Sequence, residues 1–450
     1  MNENVAYTQA YLGIMNQLDG DPEGRRAARA FLEQSTAVVH DEVVASSFVP
    51  RLFGRSTHDA LERISTTMHG ILCKVMAAYL DDPAYRALFS FDPHLEELIL
   101  LPRGYDSLLP FARVDVFLNE DDGTATFCEF NADGSSGMNE DREIVQSVEP
   151  SETYRRFAER HRVRSSELFD SWAEAFLAIY GTYQHRVEHP RIAICDYLEN
   201  ATLSEFEVFA RTFAVRGADC TICDVRNLAF DGAVLRDGDG KRIDAVWRRC
   251  VTNDVLEHWD ESQELIRAVR AERVALIGSF AGHIVHDKQL FAVLHRSETL
   301  ALLTPEERAF VKASIPRTVF LDEEHIDLAS VKANKDAWVI KPTDHYGADE
   351  VYVGAAVEQG RWNELVDRFA DEASGIPFLA QTYQVPYRTL TVPLYGKPTD
   401  EDGPAQEYNN LSGLYLYDGQ FAGVFSRLGP SPLISGKAGG ITAPTIWVDC

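Results

Sequence analysis

The chain has 450 residues, 45% of them hydrophobic, so it can bury a large core, and its length indicates two to four domains. Its 43 basic residues against 70 acidic ones give a net charge of −27, which argues against a nucleic-acid partner because such a partner needs a basic surface. A polar, acidic start, no apolar run of about 18 residues and seven scattered cysteines predict a cytoplasmic protein with no membrane partner.

The first part of the chain has the pattern of helices. Over residues 59–81 apolar side chains recur at helical spacing, and nothing in residues 1–95 suggests chemistry. Residues 96–188 begin with a strand pattern, and a helical stretch at 151–184 follows Pro150. We therefore expect a helical N-terminal region over 1–95 and a unit over 96–188 in which strands precede helices.

Two short polar patterns, Arg113-Val-Asp115 and Glu129-Phe-Asn131, are joined by a loop rich in turn-forming residues. Because side chains alternate along a strand, an odd loop sets Asp115 opposite Glu129 and Arg113 opposite Asn131 on one face. The other face is then apolar and includes Cys128. Two carboxylates and an amide oxygen suit a hard cation such as Mg²⁺ that carries phosphate oxygens. The alternative is a solvated outer face of a hairpin.

Residues 189–285 predict a parallel, doubly wound sheet. A buried strand at 191–196, a helical run and further strands form a βαβ pattern. Arg248 and Arg249 follow one of these strands, at the place where substrates usually bind in such sheets. One of them is a candidate anchor for a substrate carboxylate, and a surface ion pair is the alternative.

An apolar strand later in the chain ends at Lys341 and runs into the loop 343–349, which contains Gly347. A lysine in this position can neutralise polyphosphate while the loop N–H groups bind its oxygens. The loop lacks the Gly-x-x-x-x-Gly-Lys pattern of a P-loop, so an ordinary surface lysine is an equally good interpretation.

Two further segments contain candidate site residues. Gln381 and Tyr383 end a strand that could form a hinge whose backbone reads an adenine edge. A hairpin that turns at Asp418-Gly419 delivers Arg427, whose guanidinium suits a phosphate or a carboxylate.

Together these motifs resemble the synthetase part of the glutathionylspermidine synthase family, a circularly permuted branch of the ATP-grasp superfamily. In ordinary ATP-grasp enzymes the Glu-x-Asn metal motif follows the lysines, whereas here the hairpin precedes Lys341 by more than 200 residues. Asp287-Lys288 resembles the family's other ATP-binding lysine, at the start of a helix. The likeness covers about residues 100–450. The chain departs from the bifunctional members because residues 1–90 show no Cys/His amidase pattern.

The resemblance implies an α/β (α+β) fold, namely a circularly permuted ATP-grasp fold with a Rossmann-like pre-ATP-grasp domain at 189–285. The metal-ligand part would lie in 96–188 and the ATP-binding lobes in 286–450. ATP and Mg²⁺ are the implied cofactors. The implied site residues are Asp115, Glu129 and Asn131 for the metal, Lys288, Lys341, Gly347, Gln381 and Tyr383 for ATP, and Arg113 and Arg427 for catalysis.

The implied activity is that of a carboxylate–amine ligase, which forms an amide through an acyl phosphate and releases ADP and phosphate. Its partners would be a small-molecule carboxylate and an amine, neither of which the sequence names, and the oligomeric state stays open. Two alternatives belong to other classes. One is a nucleotide-binding scaffold that has lost catalysis, and the other is a small-molecule kinase on the same fold.

Overall fold

The structure is a computed structural model that describes residues 2–39, 42–345, 347–371, 376–395 and 403–450. It is a mixed α/β protein, as predicted, and most of its strands belong to three sheets. Within the described residues, no helix is both long enough and apolar enough to cross a membrane.

The described residues among 1–95 are mainly helical, as their pattern predicts, except for one stretch of short strands. The apolar stripe of the long third helix packs in the largest apolar core, against buried side chains of the strands that contain the hairpin motif. The prediction missed four strands between residues 38 and 53, because strands of two or three residues are too short to show alternation. The elements are α1 (Glu3–Gln17), α2 (Pro22–Leu32), β1 (Val38–Val39), β2 (Glu42–Val43), β3 (Ser46–Ser47), β4 (Arg51–Phe53), α3 (Arg55–Asp81), α4 (Pro83–Arg86) and α5 (Pro93–Ile99).

The next segment contains a hairpin followed by helices. Its elements are β5 (Phe111–Leu118), β6 (Ala125–Asn131), α6 (Met138–Val148), α7 (Glu152–Ala158), β7 (Val163–Arg164) and α8 (Asp170–Gly181). The helical stretch predicted at 151–184 is thus two helices with a short strand between them. Ser151 begins the first of these helices, because its hydroxyl accepts a hydrogen bond from the backbone N–H of Tyr154 at 3.2 Å.

The βαβ pattern is confirmed. The elements are β8 (Arg191–Asp196), α9 (Leu203–Val215), β9 (Asp219–Asp224), β10 (Ala229–Phe230), β11 (Leu235–Arg236), β12 (Arg242–Ile243), β13 (Ala245–Arg248), α10 (Thr252–Glu257), α11 (Gln263–Arg270), β14 (Ala275–Ile277) and α12 (His283–His286). Four of these strands form an all-parallel sheet in the order β14-β13-β8-β9, which we call the parallel sheet.

The remaining chain contributes α13 (Leu290–Val293), α14 (Ser297–Leu302), α15 (Pro305–Ser314), β15 (Thr318–Phe320), α16 (Leu328–Ala333), β16 (Trp338–Pro342), β17 (Tyr352–Val353), α17 (Gln359–Phe369), β18 (Phe378–Thr382), β19 (Arg388–Thr391), β20 (Pro393–Tyr395), β21 (Gln406–Tyr417), β22 (Gln420–Gly429), β23 (Ile441–Ala443) and β24 (Thr445–Val448). The antiparallel sheet β15-β18-β16-β17 contains Lys341, and we call it the lysine sheet.

The central sheet has eight strands and combines distant parts of the chain. Its order is β20-β3-β23-β22-β21-β5-β6, and β19 pairs with β21. The predicted hairpin at Asp418-Gly419 is confirmed as β21 and β22. Because β21 also pairs with β5, the end of the chain lies beside the polar hairpin that sits some 300 residues earlier.

Candidate active site

The predicted pairing of the β5–β6 hairpin is confirmed. Asp115 lies opposite Glu129, and Arg113 lies opposite Asn131. On the reverse face, residues such as Val114 are buried in the core that also contains α3. Most polar and apolar residues are therefore separated onto two faces, as strand alternation requires. Cys128, predicted on the apolar face, lines the same cavity as Glu129.

The loop and strand geometry that produce this pairing differ from the prediction. Six residues, 119–124, connect the paired ends of the strands, so the predicted odd loop is wrong. Instead, a β-bulge inserts Cys128 between the residues that pair with Asp115 and Val116. One extra residue on one strand shifts the pairing by one, which gives the same alignment as an odd loop.

Asp115 is fully buried between two arginines. Arg113 Nε donates to Asp115 Oδ1 at 2.8 Å, and a guanidinium nitrogen of Arg427 donates to Asp115 Oδ2. Gly413 on β21 makes room for this pair, since a Cβ there would come within 2.7 Å of Arg113 Cδ. In this structure Asp115 holds the two guanidiniums in place, and its function as a metal ligand stays a prediction.

The two predicted lysines meet at the hairpin from different directions. Lys288 follows α12, and its Nζ lies 3.3 Å from Glu129 Oε1. Lys341 ends β16, and its Nζ donates to the carbonyl of Cys128 at 3.1 Å and to Gln381 Oε1 at 2.9 Å. Their exposed fractions are 4% and 5%. The interpretation of Lys341 as a surface lysine is therefore wrong.

The charges at this point are mixed rather than simply positive. Burial lowers the pKa of Lys341 to about 8, because an apolar environment penalises the ammonium form. Burial also opposes ionisation of Glu129, yet Lys288 and Arg427 hold the pKa of its carboxyl at about 2. The site thus presents an ionised carboxylate surrounded by cations.

Glu129 and Asn131 fit a hard divalent cation. Among the described residues, Nδ2 of Asn131 is buried and has no hydrogen-bond partner, so the amide can turn over and present its oxygen. Carboxylate and amide oxygens are ligands that Mg²⁺ prefers, and its other positions are commonly filled by water and substrate phosphates. Asp115 can join them only after one of its arginine contacts is released.

The polar face of the hairpin lines a cavity of about 1460 Å³. Small-molecule sites usually span roughly 300–1,000 Å³, so this cavity has room for a nucleotide and a second ligand. Of the ten residues predicted for the site, only Asp115 does not line the cavity. The other nine line it: Arg113, Glu129, Asn131, Lys288, Lys341, Gly347, Gln381, Tyr383 and Arg427.

The residues predicted for the adenine hinge and for the loop differ in which of their groups already have contacts within the protein. The side chain of Gln381 accepts from Lys341 and donates to a threonine hydroxyl at 2.8 Å, so it positions the lysine. The backbone N–H of Tyr383 donates to the carbonyl of Ala337 at 2.8 Å. Gly347 has a φ of +63° and open space around it, so the loop backbone is accessible there.

Sequence reasoning misses Glu140, which also lines the cavity. It lies near the start of α6, shortly after the hairpin, and burial together with Glu205 raises the pKa of its carboxyl to about 7. A carboxyl that titrates near neutral pH is suited to accept a proton. The sequence offered one signal for Glu140. It lies nine residues after Asn131, and the turn between the two residues ends at Gly137.

The interpretation of Arg248 and Arg249 as a substrate anchor or a surface ion pair is wrong. Arg248 is 1% exposed and pairs with Asp133, directly after the hairpin. Arg249 is also buried and donates to the carbonyl of Gly134 at 3.0 Å. Both arginines therefore join the parallel sheet to the turn that follows β6.

No family model matches this chain. A stretch of 149 residues is 29% identical to a protein of Frankia casuarinae named as a glutamate–cysteine ligase 2-2. The match covers 31% of this chain and 17% of that protein, so it spans well under two thirds of the relative.

A solved structure matches nearly the whole chain. It is a glutathione synthetase-like effector from Globodera pallida, in its apo form, with a TM-score of 0.62 at 12% identity. The match covers 94% of this chain and 96% of that one. The two proteins share a fold. A γ-glutamylcysteine synthetase of Methylobacillus flagellatus aligns over 85% of each chain with a TM-score of only 0.41 at 10% identity.

Proposed function

We propose that this protein is an ATP-dependent ligase that joins a carboxylate to an amine through an acyl phosphate and releases ADP and phosphate. One observation carries the proposal. Lys288 and Lys341, which lie far from the hairpin in sequence, both have their ammonium groups at its polar face, in a cavity large enough for two ligands. The chain order, with the hairpin before the lysines, further supports a circularly permuted ATP-grasp arrangement.

Glu129 and Asn131 would hold Mg²⁺, and Asp115 would be the third ligand once a guanidinium moves. When bound, the ion would neutralise charge on the β- and γ-phosphates of ATP. Glu129 is prepared for this function because its carboxyl stays ionised at every physiological pH.

Lys288 and Lys341 would bind the phosphate oxygens of ATP. Each ammonium now contacts protein oxygens, a carboxylate and a carbonyl for Lys288 and a carbonyl and an amide for Lys341. Phosphate oxygens would be stronger partners for Lys341 because they carry a negative charge, whereas its present acceptors are neutral oxygens. The overall charge of −27 makes this group of cations distinctive, since the rest of the molecule repels a polyanion.

Arg113 and Arg427 would stabilise the phosphoryl group during transfer, and then the oxyanion that forms when the amine attacks. Asp115 holds both guanidiniums at the cavity before any ligand binds, and the one that it releases to bind the metal would then be free to contact the phosphoryl group. Glu140, with a carboxyl pKa of about 7, would accept the proton that the amine loses.

The names of the related proteins favour amide formation over a kinase reaction. The Frankia relative is named as a glutamate–cysteine ligase, and the structural neighbour is described as glutathione synthetase-like. Both names refer to joining an amino-acid carboxylate to an amine. We therefore infer that the acid of this protein is an amino acid or a small peptide.

The direct test incubates the protein with ATP, Mg²⁺ and pools of amino acids, thiol-containing peptides and polyamines. The expected products are ADP, phosphate and a new mass equal to acid plus amine minus water. The Glu129→Gln variant, which keeps the size of the side chain but removes its charge, should lose this product.

Three other results would overturn the proposal. A phosphorylated small molecule with no amide would indicate a kinase. Binding of ATP with neither ADP nor AMP formed from any pool would indicate a scaffold, and AMP in place of ADP would exclude an acyl phosphate.

A further inference from the structure

A second polar cluster lies beside the candidate active site. It consists of His283, Asp287 and Asp344, whose candidate ligand atoms all lie within 4.8 Å of one another. His283 and Asp287 come from α12 and the residue after it, and Asp344 comes from the loop after β16. None of the three lines the large cavity.

The imidazole of His283 is fully buried and points at carboxylates on both sides. Its Nε2 lies 3.2 Å from Asp344 Oδ2, and its Nδ1 lies 3.5 Å from Asp133 Oδ2. Among the described residues, neither ring nitrogen makes a well-directed hydrogen bond, so the two carboxylates contact the imidazole only at ion-pair distance. A fully buried imidazole without directed hydrogen bonds is costly, and a metal ion on one of its nitrogens would remove this cost.

Asp133 is held in place independently of the cluster. It pairs with Arg248, and its Oδ2 accepts a hydrogen bond from the backbone N–H of Thr252 at 2.7 Å. A fixed carboxylate on Nδ1 of a histidine sets the tautomer in which Nε2 is free to bind a metal. Asp133 lies near Nδ1 of His283, and Asp344 lies near Nε2, where the metal would bind. This is the geometry of a carboxylate–histidine–metal arrangement.

The carboxylates of the cluster face histidines rather than arginines or lysines. Within the described part of the chain, no arginine or lysine forms an ion pair with Asp287 or Asp344. Asp344 accepts from Asn253 at 2.9 Å, and His286 Nε2 lies 3.9 Å from its other oxygen. Two largely buried carboxylates whose charged neighbours in the cluster are histidines would gain from a divalent ion, which would take the place of the proton on the imidazole.

We propose that His283, Asp287 and Asp344 bind a divalent transition-metal ion of the zinc class, and that Asp133 orients His283 from behind. One imidazole and two carboxylates suit Zn²⁺, whereas Mg²⁺ prefers oxygen ligands alone. Three protein ligands would leave the fourth position of the ion to water, and none of the three lines the large cavity.

The ion would join the two segments that carry the active-site lysines. Asp287 directly precedes Lys288, and Asp344 lies three residues after Lys341. A backbone hydrogen bond from Lys288 to the carbonyl of Thr343, 2.8 Å long, already links these segments. The metal would fix the spacing of the two lysines. The existence of the metal site does not depend on ligase activity.

The test titrates the full-length protein with Co²⁺ alone after removal of bound metal with a chelator, and follows the visible absorption of the bound ion. One equivalent should bind to the wild-type protein, and Zn²⁺ should displace it while Mg²⁺ should not. Asp344→Asn and His283→Gln should abolish this equivalent. His58→Gln, in the exposed trio of His58, Asp59 and Glu62, is the matched control and should leave it unchanged.

Asp133→Asn should weaken Co²⁺ binding about 10–100-fold, because it removes the negative charge behind the ligand His283. If His283→Gln fails to fold, Asp344→Asn on the loop still decides the question, and so does a Zn²⁺-dependent rise in melting temperature of the wild type that this variant lacks. A wild-type protein that binds no Co²⁺, a variant that keeps it, or thiolate-to-cobalt absorption would overturn the proposal. Loss of the ligase product in Glu129→Gln with Co²⁺ binding intact would separate this site from the active site.

Discussion

At the scale of single residues, the structure changes what is expected of Asp115. Strand alternation alone assigns Asp115 and Glu129 the same function, that of a metal ligand on an open face. In the structure Asp115 is fully buried and paired with Arg113 and Arg427, whereas Glu129 lines the cavity. The two carboxylates should therefore respond differently to substitution.

Asp115→Asn should lower the free energy of unfolding by several kcal/mol, because removing one member of a buried ion pair costs roughly 3–5 kcal/mol. The partial exposure of Arg427 reduces this figure. Glu129→Gln is the comparison variant and should cost less than Asp115→Asn, since the side chain of Glu129 is 26% exposed at the cavity whereas Asp115 is fully buried. Urea unfolding measures both variants. Equal stability of the two would show that Asp115 does not hold the arginines.

The pKa of Lys341 predicts how ATP binding depends on pH. Below about pH 8 the free protein already carries the ammonium, and ATP affinity should be constant. Above pH 8 the neutral amine must take up a proton when phosphate binds, so affinity should fall by up to about tenfold per pH unit. Lys341→Arg keeps its charge and should give a flat profile. Calorimetry between pH 7 and 9.5 measures this, and a wild-type profile as flat as that of the variant would contradict the assignment.

At the scale of secondary-structure elements, the central sheet depends on a glycine opposite the hairpin. Gly413→Ala would place a Cβ 2.7 Å from Arg113 Cδ and 2.9 Å from Asp115 Oδ1. Overpacking of this kind costs about 1–3 kcal/mol and should displace Arg113. Gly70→Ala in α3 is the control, because a Cβ there meets nothing within 4 Å and alanine favours a helix. In thermal unfolding, Gly413→Ala should show a lower Tm than the wild type, and Gly70→Ala should not.

The loop after Lys341 is predicted to close over bound ATP. Its first part is anchored, because Thr343 N–H donates to Pro377 and Asp344 contacts Asn253. Beyond that point, Gly347 lines the cavity in open space, and Asp349 forms an exposed ion pair with Lys437. ATP with Mg²⁺ should therefore slow hydrogen exchange at residues 347–350. Equal exchange in the presence of a nonhydrolysable analogue would indicate a rigid, preformed site.

Local patterns predicted the elements of the site well. The hairpin pairing, the βαβ unit and the strand that ends at Lys341 follow from alternation and turn residues, which act over a few neighbours. The bulge at Cys128 could not be predicted, because an odd loop and a bulge give the same pairing. The burial of Arg248 and the approach of Arg427 to Asp115 depend on pairings between strands far apart in sequence, which no local pattern contains.

At the scale of the whole molecule, several cationic side chains of an acidic protein lie around one cavity. Arg113, Lys288, Lys341 and Arg427 line it although the chain carries a net charge of −27. These residues lie in four separate parts of the chain, and Lys341 on the lysine sheet contacts the carbonyl of Cys128 on the central sheet. The distribution of charge supports a polyphosphate ligand, and the size of the cavity supports a second substrate beside it.

The transfer of oxygen from acid to phosphate tests the proposed ligase reaction most directly. The protein is incubated with MgATP, a pool of amino acids labelled with ¹⁸O in their carboxylates, and unlabelled amines. An acyl phosphate requires one carboxylate oxygen to leave with the phosphate, so ¹⁸O should appear in inorganic phosphate in step with amide formation. Label in AMP, or amide formed while the phosphate stays unlabelled, would contradict phosphoryl transfer to a carboxylate in this cavity.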